Sequence, residues 1–248
     1  MIYLAASMWL LFAVLLAWGV HHLWCGLFRP RVVNGVLLPA TVLAQVGYIM
    51  GLLITGTSAR NVSLVGDDGP EPADGDPSAG PPPAPLLASV VLALLPLIGL
   101  AAGTELTCRA LGEPLVGRVS ASHLASQPPL TLPAFWEQLR HLVTLAEETV
   151  EAVRGLEWTA WPTGALLYVL LCLVVRAAPL RGNFRGQGGA IVVAGIAGAL
   201  AGTVLPEFPE TIAAYWPTLT VAVGLLLVVL MLSLIARGIV GVYHILNT

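Results

Sequence analysis

The chain has 248 residues, 57% of them hydrophobic and only 10% charged, with a mean hydropathy of +0.86. An ordinary soluble domain carries roughly 25% charged residues, so the composition implies an integral membrane protein whose first partner is the lipid bilayer. The net charge of −3 excludes a nucleic-acid partner, which needs a concentrated basic face, and three widely spaced cysteines (Cys25, Cys108 and Cys172) form neither a disulfide framework nor a CxxC metal site.

Residues 1–56 contain the first two expected transmembrane helices. Ile2 to Val20 is an uncharged apolar run with no basic residues before it and no small-residue cleavage site after it, which predicts an uncleaved span with Trp18 and Trp24 near the interface. His21, His22 and Cys25 follow, and His21 and Cys25 are i, i+4 neighbours on a helix. These three are the candidate metal ligands. The plainer reading is a polar helix end, because no Asp, Glu or further His lies nearby in sequence to complete a tetrahedral site. Arg29-Pro30-Arg31 marks a turn.

The second span, Leu38 to Thr55, carries Ala44-Gln45-Val46-Gly47-Tyr48 at its centre and leads to a β-prone run, Asn61 to Val65. In an H-E-x-x-H motif two histidines at i and i+4 bind zinc and the glutamate is general base. The stretch resembles the corresponding helix of the site-2-protease-like membrane zinc metalloproteases, with its HELGH-type motif, small-residue turn and strand. Laid on that motif, Ala44 and Tyr48 take the histidine positions, Gln45 takes the glutamate position, and Gly47 matches the glycine. Ala44 has no donor atom, Tyr48 is a poor ligand beside imidazole, and Gln45 keeps the size of Glu without its basicity. The resemblance thus implies a degenerate member of the family, with a β edge at Asn61 to Val65 that can pair with an extended segment. Gly47 and Gly51 also form a small-xxx-small pair for close helix packing.

Residues 57–85 are an acidic linker rich in Pro and Gly, whose composition predicts disorder. Residues 86–103 form a third span with Pro96 inside it, where a kink is expected. The run Ala93 to Gly99 resembles the family's next helix. Residues 104–160 are the longest polar connection, with an amphipathic helix predicted over 134–154. Phe135, Leu139, Leu142, Val143, Ala146, Val150 and Val153 form its apolar face, and Glu137, Arg140, Glu147, Glu148, Glu151 and Arg154 its wet face. Such a helix lies on the membrane surface or covers the bundle.

Residues 161–248 hold three further spans, Trp161 to Val175, Gly188 to Leu205 and Trp216 to Ala236. Between the first two lies Arg176-Ala177-Ala178-Pro179-Leu180-Arg181-Gly182-Asn183. In the same family an A-P-S-like turn leads to an aspartate that is the third metal ligand, and Asn183 stands at its position. The plain alternative is a basic turn held on the inner side of the membrane by Arg176, Arg181 and Arg185, with glycines allowing tight turns. Simple alternation of spans puts this turn and Arg29/Arg31 on opposite sides of the membrane unless one segment is re-entrant.

The expectation is therefore an all-α polytopic membrane protein of about six transmembrane helices, one amphipathic interfacial helix and a short β edge, located in a bacterial cytoplasmic (inner) membrane. The degenerate site positions are Ala44, Gln45, Tyr48 and Asn183, and neither a catalytic residue nor a cofactor is expected. The function implied by the resemblance is a catalytically inactive relative of intramembrane zinc metalloproteases that binds membrane clients or partner proteins. Two alternatives stand beside it. One is a polytopic scaffold or transport-related subunit unrelated to proteases, although no span has a charged residue near its middle, where transport pathways place one. The other is a metalloenzyme using His21, His22, Cys25 and His244, which lacks an intramembrane carboxylate for a base.

Overall fold

The computed structural model describes residues 2–56, 85–111, 113–120, 128–178, 184–205 and 207–246. Among them every regular element is a helix. In chain order these are α1 (Ile2–Leu27), α2 (Pro30–Val36), α3 (Leu38–Thr55), α4 (Pro85–Leu111), α5 (Glu113–Ser120), α6 (Leu132–Arg140), α7 (Leu142–Arg154), α8 (Trp161–Arg176), α9 (Phe184–Val204) and α10 (Phe208–Leu246).

Five of these helices (α1, α3, α4, α9 and α10) contain stretches long and apolar enough to cross a membrane. Among the described residues the chain is thus an all-α membrane protein. The expected fourth span, α8, has 16 residues. At 1.5 Å per residue it is about 24 Å long, short of a hydrocarbon core of roughly 30 Å.

Local sequence sets the helix ends. Prolines in the first turn open α2, α3, α6 and α8, where a missing N–H costs nothing. Thr131 caps α6, its hydroxyl oxygen accepting from the Ala134 N–H at 3.3 Å. Gly56, at φ 69°, closes α3 in the left-handed conformation that glycine adopts without strain.

Two boundaries differ from the sequence expectation. The amphipathic segment 134–154 is not one helix but two, broken at His141. The His141 N–H is shared between the carbonyls of Glu137 and Gln138, both at 3.2 Å, and the tightened turn shifts the phase of everything after it. Val143, assigned to the apolar face, is consequently 64% exposed, while Thr149 and Ala152 are buried. Residues 104–111, expected in a polar connection, continue α4. Thr104 and Thr107 return their hydroxyls to the carbonyls of Leu100 and Gly103 (2.8 and 2.7 Å), so the polar residues stay helical.

Helices α1 and α10 run parallel, as the pairings Tyr3–Phe208, Trp9–Trp216 and Trp24–Ser233 show. The core runs between them and takes in buried faces of α3, α6, α7 and α8. Trp9 stacks on Trp216 at 5.9 Å and meets Phe135 edge-on at 6.2 Å. Thr149 of α7 is fully buried against Gly224, in the apolar middle of α10. The amphipathic segment therefore covers the bundle through α7. The β edge expected at Asn61 to Val65, with the rest of the acidic linker, lies outside the described residues.

Candidate functional site

The helix carrying Ala44-Gln45-Val46-Gly47-Tyr48 packs antiparallel on α4. Gly51 faces Leu92, Gly47 faces Pro96, and Leu43 faces Gly99 and Gly103. A Cβ at Gly47 would lie 2.8 Å from Pro96 Cα and 3.0 Å from the Leu95 carbonyl carbon. Backbone thus meets backbone where α3 has no side chain, which is the use a membrane bundle makes of small residues.

One turn from Gly47 along α3, the contact opens into a cavity of about 30 Å³. One water needs roughly 10–15 Å³ by this measure, so the space holds about two. Its walls are Ala44 of α3; Leu92, Ala93, Pro96, Leu97 and Leu100 of α4; Arg176, Ala177 and Ala178 at the end of α8; and Gln187 of α9. The side-chain Nε2 of Gln187 donates to the Ala177 carbonyl at 2.9 Å, tying α9 to the end of α8.

Three stretches singled out separately in the sequence meet here. They are the helix with Ala44, the Pro96 run of the next helix, and the Arg176-Ala177-Ala178 end that leads toward Asn183. Asn183 itself lies outside the described residues. Gln45 is buried and Tyr48 half-buried on α3.

The donor set does not fit zinc. Ala44, the residue of the motif that lines the cavity, offers no lone pair, and the charged group on the opposite wall is a guanidinium, which repels a cation and coordinates none. No group of three His, Cys, Asp or Glu side chains comes together among the described residues. Of the other candidates, His21 Nε2 and Cys25 Sγ approach to 3.5 Å, as their i, i+4 spacing implies. His22 turns away and stacks on Trp18 at 5.6 Å between ring centroids. His244 lies in α10, with its side chain outside the described residues.

Two features of the site were not visible in the sequence. Arg176, expected in a basic turn, is 9% exposed at the end of α8, which packs against α4, α3 and α1. Its Nε is buried without a hydrogen-bond partner, and no ion pair among the described residues reaches it. Gln187, also buried, drew no attention among the glycines around it. Away from the cavity, Glu105 of α4 accepts from Thr218 Oγ1 (2.7 Å) and Arg109 Nε (2.6 Å), linking α4 to α10.

No protein-family model matches the chain, and no curated protein or solved structure matches it either.

Proposed function

We propose that the chain is a catalytically inactive relative of the intramembrane zinc metalloproteases, which binds membrane clients or partner proteins without cutting them. The observation that supports it is the convergence of three stretches resembling that family on one cavity between α3, α4, α8 and α9. The chemistry at the cavity favours binding over hydrolysis. Ala44 holds no metal and Arg176 puts a fixed positive charge on the wall, while Gln45, beside Ala44 in sequence and outside the lining, is no base near neutral pH. The reading places the protein in a bacterial cytoplasmic (inner) membrane.

A photoreactive side chain at position 44, in cells that co-express single-span reporter proteins, tests this reading. Reporters should crosslink at position 44 more than at position 238, on the open surface of α10, and stay full-length. Reporter fragments that depend on the protein contradict the reading. So does crosslinking no stronger at 44 than at 238.

A further inference from the structure

Arg176 poses a problem that the proposed function leaves open. A guanidinium stays protonated at any physiological pH, so burial cannot neutralise it. A buried charge is retained where something pairs with it. The Arg176 Nε has no hydrogen-bond partner, no ion pair with a described residue is formed, and the group that interacts with it electrostatically is the Cys25 thiol of α1. The side chain lines a cavity whose other walls are apolar apart from Gln187, and the Gln187 Nε2 gives one hydrogen to Ala177 and holds a second.

We propose that this cavity is a carboxylate-binding site in which Arg176 supplies the charge and Gln187 a further donor. Two observations select a carboxylate among anions. The planar fork of a guanidinium matches the two oxygens of a carboxylate bidentately. Leu92, Leu97, Leu100 and Pro96 surround the charge with hydrocarbon, which suits an acid whose next atoms are alkyl carbons. A carboxylate can come from a membrane-soluble fatty acid or from a small water-soluble acid, and the experiment separates the two. The inference rests on Arg176 and the cavity, and stands whether or not the chain is related to proteases.

The test uses the full chain, delipidated in an uncharged detergent, with thermal unfolding followed by tryptophan fluorescence. The probes are dodecanoate, its uncharged analogue dodecanol, acetate and inorganic phosphate, and the variants are Arg176→Met and Arg176→Lys. Dodecanoate should raise the wild-type Tm in a concentration-dependent way, and dodecanol should not. Arg176→Met should weaken dodecanoate at least about tenfold, as expected for a lost charge-assisted pair, with Arg176→Lys in between. Tighter binding of dodecanoate than acetate assigns the site to a lipid-borne acid, and equal binding assigns it to a small acid. Without ligand, Arg176→Met should be at least as stable as wild type, since it removes a charge that no described residue neutralises. An equal response of wild type and Arg176→Met overturns the proposal, as does an equal response to dodecanol or tighter binding of phosphate. A marked loss of stability in ligand-free Arg176→Met also overturns it, because the chain would then supply its own counter-ion.

Discussion

Replacing Gly47 by alanine puts the contact between α3 and α4 under direct strain. The added Cβ would sit 2.8 Å from Pro96 Cα and 2.9 Å from Pro96 N, both backbone atoms that no rotamer change can move. Carbon atoms rest at about 3.5–4.0 Å, so the two helices must part by about 1 Å at the crossing. Overpacking of this kind costs typically about 1–3 kcal/mol, and the loosened contact forfeits dispersion on both faces. Against this, Ala is favoured over Gly in a helix by about 1 kcal/mol. The contact should win, because the clash is with the backbone of the Leu95–Pro96 peptide. At roughly 2–4 °C per kcal/mol for a chain of this size, the melting temperature should fall by several degrees. Gly51→Ala should cost less, since its nearest neighbour is the Leu92 side-chain tip at 3.1 Å, and Gly238→Ala, with nothing within 4 Å, should be neutral or stabilising. Thermal unfolding of the three variants in one detergent gives the ranking. If Gly47→Ala melts at or above wild type while Gly238→Ala also rises, the close approach of α3 and α4 is wrong.

Other parts of the fold respond in distinct ways. Gly224→Ala places a methyl group against the fully buried Thr149 hydroxyl and should lower stability by about 1–3 kcal/mol, and Thr149→Ala in the same chain should recover part of that loss, giving a non-additive double-mutant cycle by thermal unfolding. Thr218→Val removes the donor to the Glu105 carboxylate at 2.7 Å and should cost about 1–3 kcal/mol in the same assay. Arg109→Ala removes a partner whose side chain is 65% exposed and should cost less, with an effect that shrinks as salt is added. Substituting Trp9 or Trp216 by alanine opens the stacked core between α1 and α10 and should cost about 3–5 kcal/mol each, read as a lowered unfolding midpoint.

The membrane spans were legible because an apolar run of 18 residues has few other uses. Ile2 to Val20, Leu38 to Thr55 and Trp216 to Ala236 all fall inside helices. The break at His141 was not legible, because Leu139, Leu142 and Val143 keep the segment apolar across it and the slip depends on one shared N–H. The extension of α4 to Leu111 was hidden by its polar composition. Its Thr hydroxyls bond back to the helix, and Glu105 meets a partner 113 residues away in sequence. At the cavity, Ala44 and Pro96 were found from local pattern. The burial of Arg176 is not legible because it depends on the packing of α8 among α4, α3 and α1, long-range contacts that three arginines around one turn do not signal.

The proposed function takes the Ala44 cavity for the remnant of a zinc site whose chemistry is lost. Zinc per chain, measured by elemental analysis on tag-free protein purified without added metal, tests it most directly. The measurement covers the wild type and a restored variant carrying Ala44→His, Gln45→Glu, Tyr48→His and Asn183→Asp, with Arg176→Met added to remove the opposing charge. The wild type should hold no stoichiometric zinc and a folded restored variant about one per chain, as a motif pair of histidines, an aspartate and an open position would hold. About one zinc in the wild type would contradict the claim that the chemistry is lost. A folded restored variant that takes up none would contradict the claim that the arrangement is kept.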